Sequence, residues 1–104
     1  MRDILDEIET FRAAGEPIAL ATVVKTAGSV PRPKGAAMAM TPGGRIAGSV
    51  SGGCLEAAVY EEAMEVLEVG TPRLLHYGIT DEMAWSVGLS CGGEVDIFVE
   101  PLNW

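Results

Sequence analysis

The chain holds two cysteines, and both stand beside a Gly-Gly pair: Ser51-Gly52-Gly53-Cys54 and Ser90-Cys91-Gly92-Gly93. A core cysteine usually fills space inside a strand or helix. One in a glycine turn can meet a ligand, because glycine lets the backbone bend and approach closely. A thiolate is a soft metal ligand and a nucleophile toward sulfur. Cys54 is expected to open a helix, where unpaired N–H groups and the helix dipole lower a thiol pKa. The same helix start, with the Ser49 and Ser51 hydroxyls and the backbone of Gly52 and Gly53, would receive an anion. Cys91 has no comparable local case, and burial as a small apolar residue explains it equally well. The cysteines lie 37 residues apart without a Cys-x-x-Cys pair, so a structural zinc site with His76 is weakly supported.

A third stretch, Gly28-Ser29-Val30-Pro31-Arg32-Pro33-Lys34-Gly35, offers a guanidinium fork at Arg32 and a point charge at Lys34. Its two prolines stiffen it. Several chemistries are excluded by what these motifs lack. No Gly-Lys-Ser/Thr follows the glycines, so there is no P-loop, and Gly-x-Gly-x-x-Gly is absent. Lys34 lies five residues after Ser29, not three, which removes a serine acyl-enzyme of the Ser-x-x-Lys kind. His76 stands in Leu74-Leu75-His76-Tyr77 and reads as a satisfied strand histidine rather than a catalytic base.

These motifs need elements to hold them. At 104 residues the chain is one small domain, and its 48% hydrophobic content supports a core. Asp3 to Ala14 reads as a helix with Ile4, Leu5, Ile8 and Phe11 on one face and Gly15 as its stop. Pro17 to Lys25 is a continuous apolar run, as in a strand buried on both faces. Ala36–Met40 and Arg45–Val50 flank Pro42-Gly43-Gly44 and form a hairpin. Cys54 to Val69 is the strongest helix, with Leu55, Ala58, Val59, Ala63, Val66 and Leu67 in its buried stripe and Gly70 ending it. Arg73–Tyr77 and Glu94–Glu100 are strands, and one or two helical turns are expected within 80–87. The order αβββαβ(α)β predicts an α/β (α+β) domain: a mixed sheet of about five strands with helices packed on it. The four residues Ala27-Gly28-Ser29-Val30 recur as Ala47-Gly48-Ser49-Val50, which suggests two similar strand-end turns.

The formal net charge is −8, which argues against nucleic acid or an anionic membrane as partner. From Pro17 to Leu55 there is no Asp or Glu, while Lys25, Arg32, Lys34 and Arg45 all fall there. That window could form a locally positive face. No apolar run approaches the roughly 20 residues of a membrane span. The acidic, amphipathic start is no signal peptide, so a cytoplasmic location with reduced thiols is expected.

In this order the motifs resemble the XdhC/CoxI family of accessory proteins for molybdenum hydroxylases. The residues that carry the resemblance are Gly28–Arg32 with Gly35–Met38, then Gly48–Glu56, Cys91–Val95, and Val99–Leu102. It covers the chain from about Ile18 to Leu102. The resemblance implies a protein that binds the molybdenum cofactor, a pterin bearing phosphate and a dithiolene. It would assist sulfuration by a cysteine desulfurase and pass the cofactor to a xanthine or carbon-monoxide dehydrogenase type apoenzyme. Carried onto this chain, Cys54 and Cys91 are the molybdenum or sulfur contacts, with Arg32, Ser51, Gly52 and Gly53 nearby. Such a protein is a maturation chaperone rather than a turnover catalyst. Many members continue into a Rossmann-like C-terminal domain. Here the sequence ends at Trp104, so that domain is expected on a separate polypeptide or not at all, and a homo-oligomer is expected. Two alternatives stay open: a sulfur carrier with a persulfide on Cys54, and an interaction subunit whose cysteines only pack.

Overall fold

The computed structural model describes residues 4–27, 34–50, 55–77 and 94–102. Within them the elements are α1 (Leu5–Ala13), β1 (Ala19–Ala27), β2 (Ala37–Met40), β3 (Ile46–Gly48), α2 (Glu56–Val69), β4 (Arg73–Tyr77) and β5 (Glu94–Pro101). They build one five-stranded sheet in the order β3-β2-β1-β5-β4. The expected element order is what forms. All four ladders are antiparallel, where the sequence had suggested a mixed sheet. The extra helical turns expected in 80–87 lie outside the described residues.

β1 is central because both its faces are apolar. Ala19, Ala21 and Val23 turn to one side, where they meet Met38, Met40, Val95, Ile97 and Val99 under the Leu55, Val59, Ala63 and Val66 stripe of α2. Ile18 and Leu20 turn to the other and meet Ala37, Ala39 and Ala47 beneath Ile4, Ile8 and Phe11 of the α1 region. The alanines keep this sheet thin enough for a helix on each face. Gly15 at φ +78° and Gly70 at φ +84° end the two helices in the left-handed conformation that glycine adopts without steric penalty.

Ile8 is fully buried in the smaller cluster. Ile8→Ala is expected to cost about 3 kcal/mol, as large-to-small core substitutions do. Urea unfolding would measure it, and an effect below about 1 kcal/mol would mean that α1 is not docked as described.

On the other side, α2 is fastened by polar contacts. The Arg73 guanidinium donates to Glu62 at 2.6 Å and to Glu65 at 3.3 Å, tying edge strand β4 to the helix. The hydrogen bond to Glu62 holds the Arg73 pKa above its usual value. Tyr60 donates its hydroxyl to the Thr41 carbonyl at 2.7 Å, tying the hairpin to the helix.

Candidate functional site

The ladder registers place the flanks of all three motif segments at one end of the sheet. β1 rises from Ala19 beside Pro101 to Ala27 beside Glu94. β3 rises from Ile46 beside Met40 to Gly48 beside Met38. β4 rises from Arg73 beside Val99 to Tyr77 beside Val95. The chain therefore leaves this end after Ala27, Gly48 and Tyr77, and β5 re-enters it at Glu94. Segments 28–33, 51–54 and 78–93 attach there. The two copies of Ala-Gly-Ser-Val each straddle or follow such an exit, at Ala27 and at Ala47-Gly48.

This end is stepped. β2 begins at Ala37, opposite Thr22, and the Val23 N–H donates to the Ala36 carbonyl at 2.8 Å. Beyond Val23, β1 continues to Ala27 with β5 as its only strand partner among the described residues. Four residues of strand rise on the order of 13 Å. Gly35, Ala36 and Ser49 lie at the foot of that step: the Gly35 N–H donates to the Val23 carbonyl at 2.8 Å and the Ser49 N–H to the Ala37 carbonyl at 3.2 Å. Val50 and Leu55, the residues bordering segment 51–54, are both buried in the larger core cluster.

Glu56 closes that segment from its far side. Its carboxylate accepts the Ser49 hydroxyl at 2.7 Å and the Val50 N–H at 3.0 Å. One side chain in the first turn of α2 thus ties the chain on both sides of 51–54. Ser49, Leu55 and Glu56 each have further partners. Gly48 makes the entry possible. It adopts φ +85°, and a Cβ there would stand 2.3 Å from the Ala37 carbonyl oxygen.

Glu56→Ala is expected to lower stability by about 2 kcal/mol, since it removes an acceptor from two part-buried donors. Glu56→Gln keeps one neutral acceptor and should lose about half as much. Chemical denaturation of the three proteins checks the order, and an unchanged Glu56→Ala would refute the clamp.

The proposed contact residues Arg32, Ser51, Gly52, Gly53, Cys54 and Cys91 all lie outside the described residues. Their flanks bear on two expectations. Helix α2 begins at Glu56 with Leu55 at its N-cap position, two residues later than the start expected at Cys54. At this start Ser49 and Val50 bind the Glu56 side chain, and Leu55 takes φ −119°, ψ −5° at the N-cap position. The acid-free window also divides. Lys25 and Lys34 belong to the stepped end, whereas Arg45 sits at the hairpin beyond the opposite end, where it pairs with Glu16 at 3.3 Å. One positive face is therefore not built from all four basic residues.

Two further groups shape this end of the sheet. Glu56 ends the acid-free run directly after Gly-Gly-Cys-Leu, and that position was a usable signal. The second needs the register. His76 of β4 stands opposite Asp96 of β5, with Nδ1 and Oδ1 2.5 Å apart. The pairing holds the imidazole ring against Asp96. His76 is thus a satisfied strand histidine, as expected, but an exposed one. Among the described residues no group of three metal-ligating side chains converges. None of the described helices is long and apolar enough to cross a membrane.

Comparison with known proteins extends this geometry. The model of the XdhC and CoxI family matches residues 11–78. The molybdenum cofactor insertion chaperone PaoD of Escherichia coli is 38% identical over 91 residues, covering 86% of this chain and 28% of PaoD. A probable xanthine dehydrogenase subunit of Bacillus subtilis is 33% identical over 90 residues, covering 85% of this chain and 27% of that protein. A crystal structure of a xanthine dehydrogenase from Bacillus halodurans superposes with a TM-score of 0.82 at 32% identity, covering 99% of this chain and 31% of that one. The chain spans less than a third of the length of these relatives.

Proposed function

The chain belongs to the XdhC and CoxI family, and from that premise we propose that it binds the molybdenum cofactor and delivers it to a molybdenum hydroxylase apoenzyme. The client is of the xanthine dehydrogenase or carbon monoxide dehydrogenase type, and a cysteine desulfurase supplies the terminal sulfur before delivery. The protein acts as a chaperone and does not turn over a substrate. A second copy of the chain completes the working assembly.

The observation that carries the reading is the common attachment of segments 28–33, 51–54 and 78–93 to one stepped sheet end. The fit to the cofactor is chemical. Its dithiolene-bound metal is soft, and Cys54 and Cys91 are the two thiols of the chain. Its phosphate calls for donors, which Arg32, Ser51, and the backbone of Gly52 and Gly53 would supply. When bound, the cofactor supplies the metal–sulfur centre that the client enzyme uses. The chain's own residues would hold and shield it: Glu56 fixes both sides of segment 51–54, and the Cys54 and Cys91 thiols would contact the metal–sulfur end until transfer.

The test is retention. Reduced protein incubated with molybdenum cofactor and passed through a desalting column should carry the pterin with it, detected by the fluorescence of its oxidised form. No retention by intact, reduced protein would contradict the proposal.

A further inference from the structure

A small cleft lies on the same stepped end, away from α2. It is lined by Lys25, Thr26, Ala27, His76, Glu94 and Asp96 and has a volume of about 140 Å³. Drug-sized ligands occupy roughly 300 Å³ or more, so this cleft suits one flat ring system and not a whole cofactor. Register places Lys25, Asp96 and His76 in one row across β1, β5 and β4, with Ala27 and Glu94 two residues further toward the end, the next position on the same face. Asp96 is engaged by His76 Nδ1 at 2.5 Å. Glu94 stands 3.7 Å from His76 Nε2, beyond hydrogen-bond length. The cleft thus presents a carboxylate, an ammonium at Lys25 and an imidazole fixed in orientation by Asp96.

That set is complementary to an aminopyrimidinone edge. Such an edge carries an amino N–H and a ring N–H side by side, followed by a carbonyl oxygen. A carboxylate accepts both N–H groups at once, and a lysine ammonium donates to the carbonyl. Resting on the molybdenum cofactor reading above, the geometry points to this cleft as the subsite for the pterin ring, with Glu94 as the residue that reads the amino edge. His76 is then a positioning residue, and its imidazole forms one wall.

The test uses hydroxymethylpterin as probe with the intact protein, read by quenching of pterin fluorescence. Wild type should bind saturably with a dissociation constant at or below about 1 mM. Glu94→Gln, at an exposed position and with an unchanged melting temperature, should bind at least about tenfold more weakly, because a bidentate pair is lost. The lumazine analogue, in which a carbonyl replaces the amino group, should lose a similar factor against wild type. Arginine amide, whose guanidinium shares the paired N–H groups, should compete poorly because it lacks the ring and the carbonyl. Equal binding by Glu94→Gln, equal binding of lumazine, or displacement by arginine amide at the pterin's own affinity would overturn the assignment. Cofactor retention that is unaffected by Glu94→Gln would overturn it while leaving the chaperone reading intact. Pterin binding that depends on Glu94 without cofactor retention would uphold the subsite and sink the chaperone reading.

Discussion

Gly48→Ala should destabilise the domain by about 4 kcal/mol, a large share of the roughly 5–15 kcal/mol that holds a domain of this size. Two separate penalties add. At φ +85° any side chain is strained, which costs about 1–3 kcal/mol. The new Cβ would also lie 2.3 Å from the Ala37 carbonyl oxygen and 2.9 Å from Cγ2 of Ile4. Relieving that clash costs about 1–3 kcal/mol more. The carbonyl cannot simply retreat, because it accepts the Ser49 N–H at 3.2 Å and Ser49 in turn binds Glu56. Gly44→Ala is the control. Gly44 has φ +90° with nothing within 4 Å of the added atom, so it should show the conformational penalty alone. Urea denaturation of both variants gives the comparison. Equal losses would mean that the close approach of β3 to β2 at Gly48 does not constrain the fold.

The second large effect concerns the ligand rather than the fold. Cys54→Ala should weaken retention of the molybdenum cofactor by about 100-fold or more, since changes in groups that merely support metal ligands already cost 10–100-fold. The melting temperature should stay within a few degrees, because the buried neighbours Val50 and Leu55 keep their places without the thiol. Equilibrium dialysis against cofactor measures the first quantity and calorimetry the second. Retention equal to wild type would remove Cys54 from the site and favour the interaction-subunit alternative. Rapid alkylation of Cys54 near neutral pH without any cofactor binding would favour the sulfur carrier.

Much of the fold was legible because its signals are local. The helical face of α2, Gly15 and Gly70 as stops, and the doubly apolar β1 all follow from spacing and residue type, as does the face of α1 except for Leu5, which is 39% exposed rather than buried. The hairpin followed from Pro42-Gly43-Gly44 between two apolar runs. The start of α2 lies two residues later than expected, at Glu56, whose side chain accepts from Ser49 and Val50. The uniformly antiparallel sheet and the meeting of His76 with Asp96 could not be read, since both depend on which strands become neighbours. Arg45 shows the converse: close in sequence to Lys34, it ends up on the opposite end of the sheet because the hairpin turns there. The ligand class came from motif resemblance. The common end that those motifs share came from the registers.

The central claim is that segments from three strand exits meet on one ligand. Site-resolved alkylation of reduced protein, with and without molybdenum cofactor, tests it most directly. Bound cofactor should slow modification of Cys54 and of Cys91 together, each by about tenfold or more, and with the same concentration dependence. Protection of neither thiol, or of one alone, would contradict the account.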